Sequence, residues 1–144
     1  MFVSTANGWS IFNTLSRVTY KGMLKNILLV GLGGGIGSII RYSSGLLIGS
    51  RYFPWATFMV NIIGSFIIGL VIAFSVKDGS FSGNWKLFLA TGICGGFTTF
   101  SAFSNETFGL LRDGQIWYAC VYIIASVLLA LLATFLGYSL LKFM

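Results

Sequence analysis

Apolar residues run through this chain in four long stretches, from about Leu24 to Leu47, Trp55 to Ser75, Trp85 to Phe108 and Ile116 to Leu141. Each is long enough to cross a bilayer, which takes about 20 apolar residues. The connectors are short: one around Ser50–Pro54, a Gly/Ser-rich one over Lys77–Asn84, and Arg112–Gly114. Short links between spans produce antiparallel neighbours, so the pattern predicts an all-α membrane protein with four transmembrane helices in one compact unit. Trp55, Trp85, Trp117 and Tyr118 fall at the stretch ends, where interfacial aromatic belts form.

The third stretch departs from a lipid-facing composition. From Thr91 to Glu106 it carries paired glycines, a Thr/Ser ladder, spaced phenylalanines and an acid. Backbone groups in hydrocarbon need internal partners, so such a segment belongs against protein or a wet cavity. Gly95-Gly96 is expected to break this helix and free carbonyls such as those of Gly95 and Thr98. Unwound carbonyls are hard oxygen ligands suited to one desolvated Na⁺. Phe100 and Phe103 lie three apart on one face; they are either core packing or ring edges, whose positive quadrupole end can line an anion path. Thr99, Ser101 and Ser104 add hydroxyl donors. Glu106 is either a gate or hydrogen-bond partner, or an interfacial acid paired with Arg112 or Lys86.

Two other stretches carry polar stripes at four-residue spacing: Thr57, Asn61, Ser65 and Gly69 in the second, and Tyr122, Ser126, Ala130, Thr134 and Tyr138 in the fourth. Alone, Asn61 reads as interhelical hydrogen-bond glue. Together the stripes can face each other across a narrow path of O–H and N–H donors, which suits a small anion. Arg41 is the one basic residue well inside a hydrophobic run. It either snorkels to the nearer interface or sits in a vestibule that attracts anions. Gly31, Gly33, Gly34, Gly35 and Gly37 lack the spacing and preceding strand of a phosphate loop and fit close helix packing instead.

Composition narrows the function classes. The chain is 56% hydrophobic and 8% charged, with a mean hydropathy of +0.90, so most of it lies in the bilayer. It has no histidine, its cysteines are Cys94 and Cys120, and its acids are Asp78, Glu106 and Asp113. No His/Cys metal site or Ser-His-Asp arrangement can be assembled, and an enzyme is the least favoured class. Both cysteines read as buried small hydrophobes. The net charge of +6 comes from stretch ends and offers no nucleic-acid patch. Counted from Met23, Lys25, Lys77, Lys86 and Lys142 oppose Arg41, Arg51 and Arg112, a bias too weak to fix orientation. A chain able to insert either way can form an antiparallel homodimer. Residues 1–22 read as a tail, a short interfacial helix, or the product of a start assigned upstream of Met23.

The residues from Met23 onward resemble the Fluc (CrcB-type) fluoride channel family. The resemblance rests on Gly34-Gly35-Ile-Gly37-Ser-Ile-Ile-Arg41-Tyr42, on Thr57-Phe-Met-Val-Asn61-Ile-Ile-Gly64-Ser65-Phe66, and on Gly92-Ile-Cys-Gly95-Gly96-Phe-Thr98-Thr99-Phe100-Ser101-Ala-Phe103-Ser104-Asn-Glu106. It implies an antiparallel, dual-topology homodimer in the cell membrane, with two anion pores and a structural Na⁺ on the two-fold axis. It further implies that Gly95 and Thr98 carbonyls hold the Na⁺ and that Phe100 and Phe103 form the ring-edge pair. Asn61 becomes a pore donor, Ser126 belongs to the polar track, and Glu106 takes part at the pore end; Tyr122 joins the candidate path through its place in the fourth-stretch stripe. Ala102, Asn105 and Ala130 depart from the family pattern, as do residues 1–22. The function expected is passive export of fluoride, with a small multidrug-type proton-coupled cation antiporter as the alternative. That alternative needs an acid in the middle of the first span, where the chain has none.

Overall fold

The computed structural model describes residues 8–49, 53–77 and 83–142. The tail expected at the N-terminus lies outside the described residues up to residue 7, as do most of the first connector and the Gly/Ser-rich core of the second. All regular structure among the described residues is helical. Four helical segments are long and apolar enough to cross a membrane: Gly22–Leu47, Trp55–Val76, Gly83–Arg112 and Ile116–Leu140. They agree with the apolar stretches of the sequence to within a few residues. The first belongs to a continuous 40-residue helix, Gly8–Leu47.

Local chemistry sets the ends of these segments. Pro54 precedes the second helix, Trp55–Lys77, where its missing N–H costs nothing, and its carbonyl accepts from Phe58 N–H at 3.0 Å. The link between the third and fourth spans is a glycine-terminated helix end. Gly114 takes φ +74°, Gln115 N–H donates to Leu110 O at 2.8 Å, and Gly114 N–H to Leu111 O at 3.1 Å. This paired arrangement satisfies the last carbonyls and needs a left-handed residue at its corner. The fourth helix, Ile116–Lys142, follows at once.

The third span is not uniform. It opens with an α-helical turn, Gly83–Lys86, continues as π-helix over Leu87–Cys94 and returns to α-helix at Gly95–Phe97. The backbone then leaves the helical region for two residues: Thr98 has φ −78° and ψ 153°, Thr99 φ −152° and ψ 119°. A second helical half follows, Phe100–Arg112. The position of the opening corrects the expectation of a break at Gly95-Gly96, because Gly95 is helical at φ −63° and ψ −36°.

Those glycines instead permit contact. A methyl placed on Gly96 would collide with the Gly34 carbonyl oxygen and lie 2.9 Å from Gly34 Cα. On Gly33 it would lie 2.6 Å from Phe88 O, and on Gly37 2.7 Å from Phe97 N. The glycine-rich face of the first span is thus a seat for the leading half of the third.

The second and fourth spans make the other extensive helix pair. A methyl on Gly69 would strike Thr134 O, one on Gly137 would strike Phe66 O, and Thr134 Oγ1 donates to Ser65 O at 3.2 Å. The polar stripes therefore divide. Gly69 and Thr134 serve helix packing, with Gly137 beside them, while Thr57, Asn61, Tyr122 and Ser126 face the third span.

Few apolar side chains are buried within one chain; Phe58, Val60, Val71, Cys94, Phe97 and Tyr122 are among them. Most Leu, Ile and Phe side chains of the spans point outward, as a bilayer solvent allows. Both cysteines are free thiols, and Cys120 is exposed on the fourth helix, which corrects its reading as a buried residue. Replacing Gly96 by Ala should lower the thermal midpoint in detergent by an amount matching about 1–3 kcal/mol, the usual cost of overpacking. The same change at Gly31, where a methyl meets nothing within 4 Å, should leave the midpoint unchanged.

Candidate functional site

The opening at Thr98–Thr99 places polar backbone at membrane depth, and neighbouring side chains answer it. Asn61 exchanges two hydrogen bonds with Thr99: Thr99 N–H donates to Asn61 Oδ1 at 2.8 Å, and Asn61 Nδ2 donates to Thr99 O at 3.3 Å. Thr99 Oγ1 accepts Ala102 N–H at 3.2 Å, capping the trailing half-helix, and lies 3.1 Å from Ser101 Oγ. Thr98 turns its hydroxyl back to Cys94 O at 2.8 Å. From the first span, Arg41 Nε donates to Gly96 O at 3.1 Å and Ser38 Oγ to the same oxygen at 3.4 Å. Arg41 therefore reaches inward to the third span.

Beside the opening runs a groove of about 280 Å³ between the second, third and fourth spans. Asn61, Ser65, Thr98, Thr99, Phe100, Phe103 and Ser126 line it, with Ala130 and Val127. Phe100 and Phe103 form a tilted ring pair with centroids 5.7 Å apart, and the Phe103 ring stands 5.0 Å from that of Tyr122. Phe100 is 79% exposed. Ser126 is 8% exposed, and its Oγ meets no hydrogen-bond partner among the described residues. A buried hydroxyl without a partner is costly, and its place in a groove with amide and hydroxyl neighbours suits an incoming hydrogen-bond acceptor.

Glu106 stands at one end of this arrangement. Thr57 Oγ1 donates to its Oε1 and Tyr122 OH to its Oε2, each at 2.7 Å. Both oxygens are thus held by hydroxyls rather than by a base. The other reading, a pair with Arg112 or Lys86, is corrected by the partner Arg112 takes, the exposed Asp113 at 3.1 Å. Tyr122 is fully buried and stacked edgewise by Phe53, with ring centroids 5.3 Å apart. Beyond Glu106 a wider cavity of about 440 Å³ opens, with Arg41 and Glu106 both on its wall. Arg41 thus lines this cavity while tied to Gly96.

The remaining expected residues are placed as follows. Ser101 and Ser104 lie on the exposed side of the trailing half-helix and do not line the groove. Gly95 is exposed, and its carbonyl lacks the Thr99 N–H that a continued helix would bring, since Asn61 takes it. Thr98 O likewise loses Ala102 N–H to Thr99 Oγ1, so these two carbonyls are hard oxygen donors that could hold a cation such as Na⁺. Sequence reading did not single out Ser38 or Phe53, and it placed Thr57 in the polar stripe of the second span without pairing it to Glu106. Ser38 was detectable as the residue one turn after Gly34 on the face that ends in Arg41.

Four spans, an opened third helix and a groove lined by amide and hydroxyl groups define a multi-pass membrane protein. Residues 28–138 match the family described as CrcB-like protein, Camphor Resistance (CrcB). The chain belongs to that family. It is 47% identical over 120 residues to a protein of Thermus thermophilus named fluoride-specific ion channel FluC, covering 81% of this chain and 95% of that one. A protein of the same name from Flavobacterium psychrophilum is 48% identical over 118 residues, covering 79% and 94%. A third, from Rhizobium meliloti, is 45% identical over 124 residues, covering 84% and 99%. In bacteria such a multi-pass protein resides in the cell membrane.

Tyr122→Phe removes one of the two donors to a half-buried carboxylate. It should destabilise the protein by about 1.5–3 kcal/mol, the worth of a hydrogen bond to a charged group. A double-mutant cycle with Thr57→Val, read by thermal unfolding, should show coupling between the two hydroxyls through Glu106.

Proposed function

We propose that this protein is a fluoride-selective ion channel, not an enzyme, that exports cytoplasmic fluoride passively, as an antiparallel homodimer holding a structural Na⁺ at its centre. The observation that carries the reading is the groove, whose wall the unpartnered Ser126 hydroxyl shares with the Asn61 amide and the Phe100–Phe103 pair. A small, strongly hydrated anion gives up its water only where donors replace it in sequence. Hydroxyl, amide and ring-edge donors do so without a carboxylate on the groove wall. The names of the relatives support the same anion.

The dimer is supported by what one chain leaves open. Phe100 stands 79% exposed and most apolar surface of the spans faces outward. Gly95 and Thr98 supply two carbonyls, too few to replace the hydration of a cation alone; a two-fold partner doubles them. The Na⁺ adds positive charge beside the groove and ties the copies together. The weak Lys/Arg bias supports insertion in either direction, which an antiparallel pair needs. Glu106, held by Thr57 and Tyr122, is a pore-end group; Arg41 on the cavity wall draws anions towards it.

Fluoride-electrode measurement of efflux from proteoliposomes tests the reading, with Na⁺ present and absent. Rapid fluoride release, absent for chloride, is expected; vesicles that retain fluoride would refute it. Asn61→Asp should cut the fluoride rate by at least about a hundredfold. It breaks the donor to Thr99 O and sets like charge on the path, and charges about 4 Å apart repel by about 4 kcal/mol at the effective dielectric of such sites. Ser126→Ala should lower the rate with the protein still folded.

A further inference from the structure

A continued helix would bring the N–H groups of residues 99–102 to the carbonyls of Gly95, Gly96, Phe97 and Thr98. At the opening two of these donors go elsewhere, Thr99 N–H to Asn61 and Ala102 N–H to Thr99 Oγ1. Among the described residues, Gly96 O is the one carbonyl of this set that receives side-chain donors, from Arg41 Nε at 3.1 Å and Ser38 Oγ at 3.4 Å. Gly34, Ser38 and Arg41 recur at four and three residues, so they share one face of the first span. Gly34 is in backbone contact with Gly96, which lets that face reach the carbonyl.

We propose that Arg41 is a positioning residue for the cation site. By holding the Gly96 carbonyl against the first span, it leaves Gly95 and Thr98 as the carbonyls turned to the Na⁺. This rests on the sodium reading above and extends it to a residue that does not touch the ion. Without the guanidinium, Gly96 O keeps only the long 3.4 Å bond from Ser38 in a low-dielectric setting, and it gains a better partner only by moving the backbone beside it. Its two neighbours in the ligand set then lose their aim. The guanidinium suits the task because its Nε–H is a fixed, always charged donor; a lysine keeps the charge and loses the fork.

Thermal unfolding of the purified protein across a Na⁺ series, with an organic cation holding ionic strength constant, tests this. The wild-type midpoint should rise with Na⁺ and saturate, since an ion bound only by the folded state stabilises it. Arg41→Lys should raise the half-saturating Na⁺ concentration about tenfold, equivalent to about 1.4 kcal/mol. Ser38→Ala should shift it in the same direction by less, and it carries the test if the arginine variant does not fold. A variant midpoint lowered equally at every Na⁺ concentration, with half-saturation unchanged, would mark Arg41 as merely structural and overturn the proposal. A wild-type midpoint indifferent to Na⁺ would overturn the sodium reading and the proposal with it.

Discussion

Hydrocarbon offers no hydrogen bond to an open backbone, and this constraint organises the molecule around Thr98–Thr99. A two-residue departure from helix at membrane depth strands several N–H and C=O groups, each costly if left alone. Asn61 takes both polar groups of Thr99 from the second span; Arg41 and Ser38 take Gly96 O from the first. Thr98 and Thr99 use their own hydroxyls to close the two helix ends. The irregular segment persists because the neighbouring spans carry its partners at the right heights.

The same constraint accounts for the glycines. For Arg41 to reach Gly96, and for the first span to lie against the π-helical stretch, the backbones must approach closely. Gly33, Gly37, Gly92 and Gly96 remove the side chains that would hold them apart. Gly64 does likewise on the second span, where a methyl would meet the Thr98 side chain. Small residues thus decide where the opening can sit, and polar residues decide that it stays open.

Much of this was legible in the sequence, and the reason differs by level. Span positions follow from runs of apolar residues, which lipid enforces strictly. Asn61, Ser126 and Glu106 could be nominated because a polar group inside a span has few roles. The position of the opening was not legible from composition alone. Two adjacent glycines suggest a break, yet Gly95 and Gly96 remain helical because their smallness serves contact with the first span. The threonines that do open carry β-branched side chains and hydroxyls that compete with helical bonding. Nor could the sequence choose between partners for Glu106. Arg112 is close in the chain, but Thr57 and Tyr122 are the groups that the helix packing brings to it.

The attachment of the third span on both sides bears on motion. Its leading half is seated on the first helix and tied through Gly96, while its unwound residues are tied through Asn61 to the second. A joint fastened to two separate struts cannot swing without tearing several bonds in a medium that replaces none of them. The corner is therefore a rigid bracket and not a hinge, and the groove beside it keeps a shape fixed by the bonds that hold the three spans together.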